Sequence, residues 1–211
     1  DVPGDIERLV RIAAILDRAV GRYQATIDGN EQYADADAVA ELMRRMAETP
    51  SLDRLRASTL FIEQPIARAT ALQKPLGELG LKMPIIIDES DGDDGALLRA
   101  MALGYRGVSS KACKGVWRSL INRARLQKAG SDTVMSGEDL TTQAGLAVQQ
   151  DLALVSLLGL THVERNGHHY VDGFASAPAS EAASFQSAHP DLYGDNGGRV
   201  RLSIKGGTIA L

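Results

Sequence analysis

The chain has 211 residues but one cysteine, one tryptophan, an aromatic share of only 4% and no long apolar run. A single cysteine, Cys113, cannot close an internal disulfide, so the fold has to rest on burial, and a reducing, cytoplasmic setting is expected. No segment approaches the roughly 20 apolar residues of a membrane span or reads as a signal peptide, so no membrane partner is expected. Positive charge is also short. The formal net charge is −4 and no basic stripe is present, which argues against nucleic acid as a partner because phosphate contacts need clustered Lys and Arg. The Arg-rich stretch from Arg118 to Lys128 has the spacing of a solvated helix face. Cys113 is expected to be a small buried residue rather than a nucleophile.

What is there is aliphatic. A hydrophobic share of 44% with few rings suits parallel strands buried on both faces. Helical and extended patterns alternate along the chain. An amphipathic helix from Asp5, its N-cap, to about Val20 is followed by strand Tyr23 to Asp28 and by a helix from Asp35 to Met46 with Val39, Leu42, Met43 and Met46 on one face. The alternation continues with strand Thr59 to Glu63, a helix or turn from Ala67 to Leu79, strand Pro84 to Asp88, helix Gly95 to Leu103 and strand Gly107 to Lys111. Helix Trp117 to Ala129, strand Thr133 to Gly137, helix Thr142 to Leu158 and strand Thr161 to Glu164 complete it. Repeated βα units predict an α/β fold, a (β/α) TIM-type barrel over residues 1–174. The segment 175–211, rich in Ala, Ser, Gly and Pro, predicts a loop subdomain closing in a small β element around Val200 to Ile204.

Four of the apolar runs end in chemically loaded segments: Asp28-Gly29-Asn30, Glu63-Gln64-Pro65, Asp88-Glu89-Ser90 and Lys111-Ala112-Cys113-Lys114. In a barrel of parallel strands the C-terminal strand ends converge on one mouth. Residues two apart share a strand face, which groups Asp28 with Asn30, Phe61 with Glu63, Ile86 with Asp88, and Ser109 with Lys111. Three acids brought together repel one another, and a divalent cation removes that conflict. Oxygen donors without His or Cys favour Mg²⁺, with Mn²⁺ as a substitute. Asp28, Glu63 and Asp88 are thus candidate metal ligands and Lys111 the candidate acid/base. Lys114 falls on the other strand face if the strand persists, and Glu89 faces away from Asp88 as a candidate orienting group. Glu138 and Asp139 can line the pocket, although Asp139 also suits the cap of the following helix. His162, His168 and His169 invite a metal reading, but Asn166-Gly167 fits the latter pair to a surface turn.

These motifs resemble the C-terminal barrel of the enolase superfamily, specifically the mandelate racemase and muconate lactonizing enzyme family, and most of all its muconate lactonizing branch. The family carries Asp-x-Asn, Glu-Gln-Pro, Asp-Glu-Ser and Lys-x-x-Lys on its third to sixth strands, matched by Asp28 and Asn30, Glu63 to Pro65, Asp88 to Ser90, and Lys111 and Lys114. The resemblance implies a (β/α)7β-like barrel, Mg²⁺ on Asp28, Glu63 and Asp88, and Lys111 as acid/base. The implied reaction abstracts the proton α to a small carboxylate substrate to give a metal-stabilised enolate, leading to racemisation, epimerisation, cycloisomerisation or elimination. It also implies a homo-oligomer, and a capping domain and Lys-x-Lys base on sequence upstream of Asp1, toward which the segment around His189 to Tyr193 returns. Departures are Gly115-Val116 where the family has Gly-Gly, no Asp-x-Asp on the eighth strand, and no histidine at Met135 to Asp139. A Schiff-base, class I aldolase-like lyase using Lys111 and a catalytically silent ligand-binding relative stay open as alternatives.

Overall fold

The computed structural model describes residues 1–19, 21–76, 83–165, 171–206 and 208–209. The candidate turn at His168 and His169 lies outside the described residues, as do Leu79 and Val20 at the ends of two expected helices. Contacts divide the chain into two compact units, residues 1–109 with 122–135, and residues 110–121 with 136–211.

Parallel strands β1 (Ala25–Asp28), β2 (Thr59–Glu63), β3 (Ile85–Ile87), β4 (Gly107–Ser110), β5 (Val134–Leu140) and β6 (Val163–Arg165) hydrogen-bond in sequence order in one six-stranded sheet. Helices α1 (Val2–Ala19), α2 (Ala36–Glu48), α3 (Asp53–Ser58), α4 (Arg68–Ala71), α5 (Ala96–Ala102), α6 (Val116–Ala129) and α7 (Leu146–Leu158) alternate with them. This is the βα series of a TIM-type barrel, in the expected α/β class.

In the first unit the core is mainly aliphatic, with the rings of Phe61 and Tyr105 also buried. Ile62, Ile86, Ile87 and Leu97 have no exposed surface, nor do Val39 and Leu52. Val39, Leu42 and Met46 form the buried face of α2, whose N-cap Asp35 accepts the amide of Ala38 at 3.0 Å. Two close approaches require glycine. A Cβ on Gly107 would sit 1.9 Å from the Val134 carbonyl oxygen, and one on Gly29 would sit 2.5 Å from Pro65 Cα.

The first helix starts earlier than expected. Asp1, not Asp5, caps it, accepting the Gly4 amide at 3.0 Å, while Asp5 accepts the Tyr33 hydroxyl at 2.9 Å. Strand β1 starts two residues late because Tyr23 is engaged elsewhere: its hydroxyl donates to Asp17 at 3.0 Å and its ring lies under Arg54.

In the second unit, Ala144, Val148, Phe174, Leu192 and Tyr193 form a separate core. The segment after residue 175 is not all loop. It contains helix α8 (Ala179–Ala188), then antiparallel pairs of β7 (Tyr193–Asp195) with β8 (Val200–Leu202) and of β9 (Ile204–Lys205) with β10 (Thr208–Ile209).

Candidate active site

The three candidate carboxylates belong to the first unit and end consecutive strands. Asp28 lies opposite Glu63 in the β1–β2 register, and Glu63 lies opposite Ile86, two residues before Asp88. Glu63 and Asp88 are each only 3% exposed, whereas Asp28 is exposed. Glu63 accepts a short hydrogen bond from the Ser109 hydroxyl on β4, so its side chain reaches across β3 to the second strand over. That bond puts Ser109 on the Glu63 face of the sheet.

The loop after β1 is folded onto the loop after β2. The Gly29 amide donates to the Glu63 carbonyl at 2.8 Å and the Glu31 amide to the Gln64 carbonyl at 2.8 Å. Asn30 and Glu31 adopt left-handed backbone, and Asn30 turns back so that its amide donates to Asp28 Oδ1 at 2.8 Å and its Nδ2 to Oδ2 at 3.3 Å. Asn30 therefore orients the Asp28 carboxylate. The close packing against Pro65 explains why glycine separates the two.

Gln64 escaped the sequence reading as a positioning group. It is fully buried, and its Oε1 accepts the amides of Asp88 at 2.8 Å and Ser90 at 3.0 Å. Its Nε2 donates to the Ile66 carbonyl and to Ser90 Oγ, each at 2.8 Å. One side chain thus pins the backbone from which Asp88 projects. The only sequence signal was its place inside Glu-Gln-Pro, since the bonds span up to 26 residues. Arg68, also missed, donates to Glu31 through its backbone and guanidinium at 2.6 to 2.9 Å. Its pKa is raised by Glu31 first, with Glu89 and Asp88 adding to it, while Arg68 in turn lowers that of Glu31. Asp91 is buried at 3% exposure and accepts Asn122 Nδ2 at 3.3 Å on both oxygens.

The second unit holds the basic candidates and two of the acids. Strand β4 stops at Ser110, so Lys114 is not on a strand face: residues Ala112–Lys114 form a 3-10 turn in which the Lys114 amide donates to the Lys111 carbonyl at 3.0 Å. Cys113, in that turn, is exposed, contrary to the expected buried residue. Lys111 Nζ lies 2.6 Å from Asp139 Oδ2, with 14% of the lysine side chain and 49% of the aspartate side chain exposed. Asp139 belongs to β5 and does not cap α7, which begins at Leu146. Glu138 is buried, and Glu138, Asp139 and Glu164 offer carboxylate oxygens within 4.8 Å of one another. His162 is partly buried, and desolvation holds its pKa below the ordinary value against the pull of Glu164.

The donor set of the first unit fits a hard divalent cation. Burying two carboxylates on neighbouring strands is costly without compensating positive charge, and all three candidates offer oxygen only. The acidic group of the second unit is a further oxygen-rich candidate, though there the Lys111 ammonium already supplies positive charge. Among the described residues, no helix is long and apolar enough to cross a membrane.

No protein-family model and no curated sequence matches the chain. Solved structures do. A mandelate racemase/muconate lactonizing protein from Herpetosiphon aurantiacus superposes with a TM-score of 0.62 at 19% identity, over 96% of this chain and 51% of that one. The L-Ala-D/L-Glu epimerase from Bacillus subtilis, in a substrate-liganded complex, gives 0.62 at 14% identity over 96% and 50%. A dipeptide epimerase from Methylococcus capsulatus, complexed with Mg and L-Arg-D-Lys, gives 0.58 at 18% over 94% and 50%. The chain has the barrel fold found in these proteins and spans about half the length of each.

Proposed function

We propose that this chain carries the metal-binding half of an enzyme that moves the proton α to a substrate carboxylate, as a racemase, epimerase or cycloisomerase. The observation that carries the reading is the ending of three consecutive parallel strands in Asp28, Glu63 and Asp88, two of them buried carboxylates. Similar folds occur in epimerases whose structures hold Mg and a dipeptide, which agrees with a small carboxylate substrate.

In this reading Asp28, Glu63 and Asp88 hold Mg²⁺, with Mn²⁺ as a substitute. The ion, when bound, supplies positive charge for the substrate carboxylate and for the negative charge that develops on it. The chain's own residues do the rest. Ser109 donates to one oxygen of Glu63 and so fixes which way that carboxylate turns. Asn30 fixes Asp28, and Gln64 fixes the backbone of Asp88. Lys111 gives or takes the α-proton at Nζ. Glu89 and Lys114 are assigned to the surroundings of the site rather than to the proton transfer itself. Residues 175–211 are the segment that returns toward a capping domain, and the whole protein is a cytoplasmic homo-oligomer.

The test is exchange of the α-proton into D₂O across a panel of carboxylic acids, read by NMR alongside Mg²⁺ affinity. Glu63→Gln is expected to lose both metal affinity and exchange. Lys111→Ala is expected to keep the metal and lose exchange. Full exchange in the lysine variant, or exchange that survives EDTA, would sink the assignment. Borohydride trapping of a Lys111 adduct would establish the Schiff-base alternative instead.

A further inference from the structure

The Lys111–Asp139 pair has a geometry that neither residue reaches by default. Lys111 is held from its own side by the 3-10 turn that follows it, which ends at Gly115 with φ of 100°. Its side chain is mostly buried, so few rotamers are open to it. Asp139 comes from the other direction, 28 residues later, at φ of 49°, a left-handed conformation that only a few side chains tolerate. The β5–β6 register breaks between Gly137 and Leu140, and the irregularity takes Asp139 out of strict alternation: residues 136–138 and 140 are buried while Asp139 is not. Such strand irregularities re-aim a side chain. Here the side chain so aimed ends on the lysine nitrogen. Glu138 and Glu164 place two further carboxylates beside it.

We propose that Asp139 is the positioning residue for Lys111: the left-handed bulge on β5 exists to deliver one carboxylate to the lysine ammonium and fix where Nζ sits. The proposal rests on reading Lys111 as the proton carrier and goes beyond it by assigning what orients that carrier. A lysine stem has four rotatable carbons and a strongly hydrated head, so without a partner its nitrogen samples many positions. The carboxylate replaces that spread with one position. Lys111 then meets substrate with Nζ already in place. In the transfer the Nζ lone pair takes the α-proton to form N–H while the C–H pair stays on the α-carbon, and the return step breaks that N–H bond and re-forms C–H on the same pair.

Asp139→Asn is the suited variant, because asparagine matches the shape and tolerates left-handed backbone, so the fold is retained while the charge is lost. A lysine ammonium locked in an ion pair exchanges its protons slowly enough for its ¹H–¹⁵N resonance to be observed. That signal, identified by its disappearance in Lys111→Arg, is expected in the unmodified chain and absent in Asp139→Asn. In the same variant kcat for exchange is expected to fall about tenfold or more, with KM and Mg²⁺ affinity within about twofold, as befits lost orientation rather than lost binding. A Lys111 signal that persists in Asp139→Asn overturns the proposal, as does its absence from the unmodified chain. Loss of the signal with kcat unchanged overturns it too. The resonance needs no substrate, so its outcome is independent of whether Lys111→Ala retains proton exchange, which is the test of the underlying reading.

Discussion

The two units hold themselves together with different materials. The first packs Ile, Leu and Val from parallel strands and their helices, with Ile62, Ile86 and Ile87 showing no exposed surface. The second packs rings from short elements: Phe174, Phe185 in α8 and Tyr193 in β7 lie with centroids 5.4 to 6.0 Å apart, and His189 stands 6.4 Å from Tyr193. The first unit also buries Phe61 and Tyr105, so the contrast is one of proportion. Strands bury side chains by regular repetition and can use small aliphatic units. A segment of short hairpins and one alanine-rich helix has no such repetition and relies on a few large side chains, each covering 150 to 250 Å² by rough reckoning.

If that contrast is right, the second core should be the more fragile to a single deletion. Phe174→Ala removes the ring that touches both partners and is expected to cost about 3–5 kcal/mol of unfolding free energy, read by urea denaturation. A loss below about 1 kcal/mol would show that the ring cluster is not what holds this core. In the first unit the comparable weak point is polar. Gln64→Ala strands the buried amides of Asp88 and Ser90 and is expected to cost about 2–6 kcal/mol, at roughly 1–3 kcal/mol per unsatisfied group. It should also lower Mg²⁺ affinity, because the Asp88 backbone loses its anchor. An unchanged affinity would separate stability from site positioning and remove Gln64 from the site.

The same contrast explains what the sequence disclosed. Each strand of the first unit was legible because an aliphatic run with polar punctuation can hardly be anything else: Thr59–Glu63 has the expected bounds. Strand ends were legible for the same reason, since Asp28, Glu63 and Asp88 each break such a run. Helix α8 was not legible. It buries none of its residues fully, so its Ala-Ser pattern shows no face for periodicity to find. The Gln64 network and the Lys111–Asp139 pair were invisible for another reason: the first satisfies backbone amides and the second joins residues 28 apart, and neither leaves a local pattern. The early start of α1 was hidden because Val2-Pro3-Gly4 reads as a loop, whereas Asp1 accepts the Gly4 amide and the helix begins at Val2.

The smallest predicted effect sets one tyrosine of each unit against the other in alkali. Tyr105, in the first unit, is 1% exposed, donates its hydroxyl to the Ala71 carbonyl at 2.9 Å, and has its pKa pushed up to about 12 by burial. Tyr193, in the second, is raised by burial too, but the Gly145 amide, which donates to its oxygen at 3.1 Å, and Gln149 pull the other way. A phenol whose folded pKa exceeds its unfolded value of about 10 keeps its proton in the native state after the unfolded chain has lost it. Its stabilising contribution is therefore complete below pH 10 and declines as pH rises from there through the folded pKa. For Tyr105 the decline is expected to reach about 2–3 kcal/mol, and less for Tyr193, because donors to the phenolate oxygen stabilise the ionised form. Denaturation measured between pH 9 and about 12 on Tyr105→Phe and Tyr193→Phe reads this directly. The first variant should flatten the alkaline slope more than the second. Equal flattening would mean that the donors around Tyr193 do not offset its burial, and that the two cores treat a buried hydroxyl alike.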